Sequence, residues 1–196
     1  MKGALKLKRL SNLMLLSGFL STVFYSMSYP YIYAETVKYV SRPYLTFEQV
    51  VSCLGVVLFS LIWNKYGDKL FKHYPKIVIL EVIADSYLFL DVIVRGNLKF
   101  YFVLNILIYS IITRNITCGF VKIRAKVNSN EKDREKFDNN TNTVEALATI
   151  TGAFLSIVTM PTLKVLFILA LIGGIIDNFF YLYVYQRLNI AGGKLK

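Results

Sequence analysis

The sequence predicts an all-α polytopic membrane protein, with six transmembrane helices arranged as two inverted three-helix repeats. Three observations predict it. Apolar residues make up 55% of the 196-residue chain, above the ~45–50% usual for soluble domains, and they fall into six blocks. Positive charge alternates between the segments that join the blocks. The start of the second block is echoed at the start of the fifth.

Mean hydropathy is +0.49. The hydrocarbon core of a bilayer is about 30 Å thick and a helix rises ~1.5 Å per residue, so a span takes roughly 20 mostly apolar residues. Backbone groups find no partner in lipid, so the spans must be helices. They are expected at about 10–34, 46–64, 76–95, 98–120, 143–162 and 164–186. Residues 1–196 then form a single six-helix membrane domain. The first block exceeds the ~7–15 residues of a signal-peptide core and reads as a retained span. Short connections follow at 35–45, 96–98 and 162–163, with Gly96 and Pro161 marking turns. The long connection 121–142 is polar and is expected to be partly helical. Thr141 or Asn142 is the expected N-cap of the fifth span, with Glu145 in its first turn.

The net charge of +11 invites a nucleic-acid reading, but its placement has a membrane explanation. Lys2, Lys6, Lys8 and Arg9 precede the first span. Lys65, Lys69, Lys72 and Lys76 follow the second. Lys122, Arg124, Lys126, Lys132, Arg134 and Lys136 follow the fourth, and Arg187, Lys194 and Lys196 follow the sixth. The alternate segments hold only Lys38, Arg42, Arg95, Lys99 and Lys164. Basic loops stay on the cytoplasmic side, so both termini are expected there, in a multi-pass protein of the cell membrane. The lipid bilayer is the expected partner, and no nucleic acid is required.

The echo between blocks is specific in position. Thr46, Glu48, Ser52 and Gly55 align without gaps on Thr143, Glu145, Thr149 and Gly152. With six spans the second enters the membrane from one side and the fifth from the other. Two three-span halves of inverted topology are a known transporter plan.

The segment after the second span, SLIWNKYGDK from Ser60 to Lys69, resembles the signature loop G-x-L-A-D-R-x-G-R-K of major facilitator superfamily transporters. Gly67 and Lys69 match, Lys65 stands in for the arginine, and Asn64 replaces the aspartate. Ser60 replaces the first glycine, and Asp68 sits where a basic residue is usual. The charged stretch from Asp133 to Lys136, followed by 143–156, is similar to that family's entry into its fifth helix. By motif the resemblance covers about 60–69 and 133–156, and by topology the whole chain. It implies the N-terminal six-helix half of a twelve-helix transporter. The family's loop aspartate latches a conformation through its charge, which Asn64 lacks.

Charges inside a span cost about 2.5–3.5 kcal/mol each at the helix centre and usually face a cavity or a partner. The third span carries Glu81, Asp85 and Asp91, with Glu81 and Asp85 on one face. The fourth carries Arg114, and helical rise puts it at a similar depth to that pair. Glu81 or Asp85 is therefore expected to meet Arg114, as a structural ion pair or as a coupling site. Asp177 in the sixth span is close to mid-depth and has no basic partner evident in sequence. It is the candidate for a proton-linked group. In the resembled family the first and fourth helices line the central cavity, which implies cavity-lining roles for Ser21, Tyr25, Ser28, Asn105 and Tyr109. Interhelical packing is the competing reading of the same residues.

No catalytic, metal or cofactor site is expected. His73 is the single histidine, and Cys53 and Cys118 are isolated. No nucleophile-elbow or zinc-protease motif occurs, so an enzyme is not expected. The leading expectation is a half-size, transporter-like protein that moves a small solute by alternating access, as a homodimer or with a separate C-terminal half. The alternative is an accessory or binding membrane protein, either a substrate-capturing subunit or an immunity-type protein, without transport of its own.

Overall fold

The computed structural model describes residues 2–38, 42–96, 112–128 and 130–191. The described residues form six helices and no strand: α1 (Lys2–Val37), α2 (Arg42–Lys72), α3 (Tyr74–Arg95), α4 (Arg114–Val127), α5 (Glu131–Thr159) and α6 (Leu163–Ala191). Four of them contain stretches long and apolar enough to cross a membrane: Leu7–Glu35, Gln49–Lys72, Glu131–Thr159 and Leu163–Leu188. At 22 residues α3 is about 33 Å long, also sufficient in length, but it carries Glu81, Asp85 and Asp91. Most of the expected fourth span, 98–120, lies outside the described residues.

The buried core is mainly apolar but admits polar side chains, and large apolar side chains also cover the surface. Ser17, Ser28 and Ser156 are at most 2% exposed, and Glu81 is 5% exposed. Leu54, Val57, Leu61, Ile83, Ile150 and Phe154 are all more than half exposed. Water would penalise so much continuous apolar surface, whereas hydrocarbon does not. The chain fits a membrane-embedded helical protein.

The helices run further than the hydrophobic blocks. α2 continues eight residues past 64 to Lys72, so Asn64, Lys65, Gly67 and Lys69 lie within a helix and do not form a loop. Lys69 and Lys72 occupy its last turn, where cations offset the negative end of the helix dipole. A single residue, His73, separates α2 from α3. Its N–H donates to the Leu70 carbonyl at 2.9 Å, and Pro75 sits in the first turn of α3, where no intrahelical N–H is needed. Gly96 ends α3 with φ of 68°, a left-handed cap that glycine adopts without strain.

The polar connection 121–142 is almost wholly helical, which corrects the expected cap of the fifth span. The N-cap is Asn130, whose side chain accepts from the Lys132 N–H at 3.3 Å. Glu131 and Asp133 stand in that first turn, favourable at the positive end of the helix. Thr141 lies mid-helix, its hydroxyl donating back to the Phe137 carbonyl at 2.8 Å. α5 ends at Met160, in left-handed conformation with φ of 41°, and Pro161 then prevents continuation.

The chain divides into two compact units. The first comprises Met1–Met27, Phe120–Met160 and Ile172–Lys196; the second comprises Ser28–Gly119 and Pro161–Leu171. In the first unit α1 packs on α5 and on α6 through small residues. Ala148, Gly152 and Ser156 recur every fourth position on α5 and are all buried. A Cβ at Gly152 would lie 2.5 Å from the Val23 carbonyl oxygen and 2.8 Å from Ser26 Cβ, so α1 and α5 touch backbone to backbone. Ser156 donates to the Met27 carbonyl at 3.1 Å. On α6, a Cβ at Gly173 would lie 3.3 Å from the Ser21 carbonyl oxygen. Small residues spaced by four are the usual means of close helix approach in lipid.

The second unit packs on rings. Phe71 and Tyr74 stack with centroids 6.1 Å apart, and Phe89 meets Phe167 edge to face at 5.6 Å. Gly119 leaves room for the Tyr74 ring, and a Cβ there would also lie 3.1 Å from Trp63. Trp63 Nε1 donates to Asn115 Oδ1 at 3.0 Å.

Candidate functional site

Two carboxylates carry the contacts of chemical interest, one in each unit: Asp177, half-buried, in the first and Glu81, buried, in the second. In the first unit, Ser17 on α1 is fully buried, and its hydroxyl lies 3.2 Å from Asp177 Oδ1 on α6. The helices bring them together as an antiparallel pair. Gly173 meets Ser21 and Phe24, and Asp177, one turn further along α6, meets Ser17, one turn back along α1. The glycine lets the backbones approach, so the short aspartate side chain can span the gap. The Ser17 hydroxyl also lies 3.3 Å from the Met14 carbonyl. Asn178, beside Asp177, is buried as well.

In the second unit, Val78, Glu81, Leu88 and Val92 are buried along one side of α3, and Asp85 follows Glu81 by one turn on the same face. Glu81 Oε1 accepts from the Thr113 hydroxyl at 2.8 Å. Thr113 immediately precedes Arg114, whose side chain lies outside the described residues, as do Asn105 and Tyr109. At the end of α3, Asp91 pairs with Arg95 at 3.1 Å, the acid buried and the base exposed.

The remaining candidates are placed as follows. Ser21 and Ser28 are buried, and the Ser21 hydroxyl donates to the Gly18 carbonyl at 3.2 Å. Tyr25 is half-buried, with its hydroxyl 2.9 Å from the position a Gly174 Cβ would take. On α2, Gly67 is buried while Asn64, Lys65 and Lys69 are exposed. Among the described residues no group of histidine, cysteine and acidic side chains is arranged to hold a metal of the kind those ligands bind.

Two features had a readable signal that spacing alone did not convert into a contact. Ala148, Gly152 and Ser156 form a small-residue stripe visible at period four. Ser17 is one turn from Ser21, on the face already noted as polar, yet its partner lies 160 residues away. The Trp63–Asn115 bond had no sequence signal, since neither residue type favours a particular partner.

No protein-family model, curated protein or solved structure matches the chain.

Proposed function

We propose that the chain is a half-size, transporter-like protein of the cell membrane, spanning it six times with both termini in the cytoplasm. It moves a small solute by alternating access, working with a second copy or a separate second half. The observation that carries this reading is the Asp177–Ser17 contact between α1 and α6. A carboxylate inside a span-length apolar helix is costly, and a chain that only needed to fill the membrane would place an apolar residue there. Helical rise supports a mid-depth position: Ser17 lies roughly 15 Å along from Leu7 and Asp177 roughly 16 Å from Leu188. Transporter sites commonly lie at that level.

Further support comes from Pro30 inside α1, which removes a backbone hydrogen bond from the helix. Interrupted spans are frequent where helices line a pathway. The alignment of Thr46–Gly55 with Thr143–Gly152 supports the inverted repeat, and Gly55 and Gly152 are both buried. The resemblance of 60–69 to the major facilitator signature supports the class, although in this chain those residues extend a helix.

The test is uptake by proteoliposomes of labelled amino acids, sugars and dipeptides under imposed proton and sodium gradients. The expected result is gradient-driven accumulation of at least one solute, falling to the level of empty vesicles in Asp177→Asn. Accumulation unchanged by Asp177→Asn removes that carboxylate from the mechanism. No accumulation by the purified chain or with any co-expressed second half ends the transport reading.

The accessory reading draws on one observation. Residues 130–136, the N-cap and first turns of α5, are exposed, and α5 is held to α4 by Arg124, which pairs with Asp138 and lies 5.0 Å over the Phe137 ring. A rigid charged hairpin of this kind suits docking to another subunit.

A further inference from the structure

We infer that one face of α2 is a binding site for an anionic phospholipid. Its acyl chains lie along Leu54, Leu58 and Leu61, and its phosphate sits among Lys65, Lys69 and Lys72. The inference goes beyond the transport reading and rests only on the membrane-embedded character of the chain.

The first argument is placement. Leu54, Leu58, Leu61, Lys65, Lys69 and Lys72 follow one another by three or four positions within one continuous helix, so they form a single stripe. All six are exposed. Trp63, Gly67 and Phe71 are buried and occupy the opposite side of the helix, where Trp63 bonds Asn115 and Phe71 stacks on Tyr74. The stripe therefore faces away from the second unit, and along it leucine gives way to lysine after Leu61. Exposed Tyr66 stands at the change, and Lys65 lies 5.2 Å over its ring. Tyrosine is enriched at the level where hydrocarbon meets headgroups.

The second argument is length. The helix from Leu54 to Lys69 rises ~22 Å. One leaflet, half of a bilayer of about 40–45 Å, is about 20–22 Å thick. A phospholipid lying along α2 thus meets leucine with its chains and lysine with its phosphate. The long stem of lysine carries its ammonium well away from the backbone, so Lys72 reaches back to the same headgroup from one turn further on.

The third argument is charge. Residues 64–77 hold Lys65, Lys69, Lys72 and Lys76 against one acid, Asp68. Among the described residues no acid pairs with any of these four lysines. The other long basic segment differs: residues 122–138 hold six basic side chains and four acidic ones, and Arg124 is paired with Asp138. An anionic headgroup therefore gains more at α2, whereas the cationic amine of a zwitterionic lipid is repelled there. Lysines clustered immediately after a span are the usual mark of anionic-lipid binding. A nucleic acid would meet the lysines and leave the leucine track unused.

The experiment is native mass spectrometry of the purified full chain in mild detergent, titrated with phosphatidylglycerol or with phosphatidylcholine of the same chain length. The readout is the apparent Kd of the first bound lipid. Phosphatidylglycerol is expected to bind about fivefold or more tightly, the gain of one lysine at an anionic surface. The triple variant K65Q, K69Q and K72Q should bring the two lipids within about twofold, while K65R, K69R and K72R should keep the preference. The triple variant K122Q, K126Q and K132Q should keep it as well. Raising ammonium acetate from about 0.05 to 0.5 M should erode the preference of the unaltered chain, a check that stands even where a variant fails to fold. Glycerophosphoglycerol, the headgroup without chains, should not compete. Equal affinity for the two lipids overturns the inference. So does a preference that survives K65Q, K69Q and K72Q, that is lost in K122Q, K126Q and K132Q, or that ignores salt. Displacement of phosphatidylglycerol by glycerophosphoglycerol would make this a free-phosphate site instead, and displacement by a single-stranded oligonucleotide would make it a nucleic-acid site; either result overturns the lipid assignment.

Discussion

The two units differ in how their helices approach, although one ring pair, Phe120 with Tyr181, also occurs in the first. In the first, glycine and serine bring backbones together: Gly152 against Val23 and Ser26, and Gly173 against Ser21 and Phe24. In the second, aromatic rings fill the space between helices, with Tyr74 set against Gly119 and Phe89 against Phe167. The carboxylates follow suit. Aspartate, the shorter acid, reaches Ser17 where backbones nearly touch, while glutamate bonds Thr113 in the unit packed on rings. Packing distance and side-chain length are matched in each. Lipid supplies no hydrophobic drive between helices, so shape and buried hydrogen bonds decide which faces meet.

Three substitutions probe this difference. The largest effect is expected at Gly152. An alanine methyl there meets backbone atoms of α1, which no side-chain rearrangement can move, and the Ser156–Met27 hydrogen bond should be lost with it. Gly152→Ala is expected to cost about 3 kcal/mol, the upper part of the overpacking range, read as a drop in thermal stability in detergent. A loss below about 0.5 kcal/mol would mean that α1 and α5 are not in backbone contact.

Gly119→Ala comes next. Its methyl meets the buried Tyr74 ring, and a cost of about 2 kcal/mol is expected. Because the obstacle is a side chain, the cost should shrink to about 0.5 kcal/mol or less in a Tyr74→Leu background, a coupling readable in a double-mutant cycle. An unchanged cost in that background would erase the distinction between ring packing and backbone packing. The smallest effect is expected at Arg124→Gln. Asp138 is half exposed, and pairs of this kind contribute about 1 kcal/mol or less. The hairpin should keep its helicity, and a loss of helical signal by circular dichroism would show that the pair holds it.

Much of the helical layout was legible because it is local. Apolar run length gave α1, the core of α2, and α6, and Gly96 and Pro161 marked ends that the structure places there. The overshoot of α2 to Lys72 and the helical connection to α5 were harder to read. Charged residues such as lysine and glutamate are good helix formers, so a helix can leave the apolar layer without any change in backbone. The cap moved to Asn130 for the same reason. The candidate residues were legible as types, since a carboxylate in an apolar run stands out wherever it lies. The expected pairing of Glu81 or Asp85 with Arg114 rests on a side chain outside the described residues. The contact found at Glu81 comes from Thr113, the residue before it.

By itself the sequence determined that this chain is helical, that it carries enough apolar surface to lie in a membrane, and which acids must be accommodated inside it. Those properties follow from hydrophobic runs and helical rise, which act over neighbouring residues. Only the tertiary structure decided that Asp177 meets Ser17, that Gly152 admits α1, and that Tyr74 occupies the space Gly119 leaves. Such choices depend on the fit of two distant surfaces to within an ångström, and no local pattern encodes that fit.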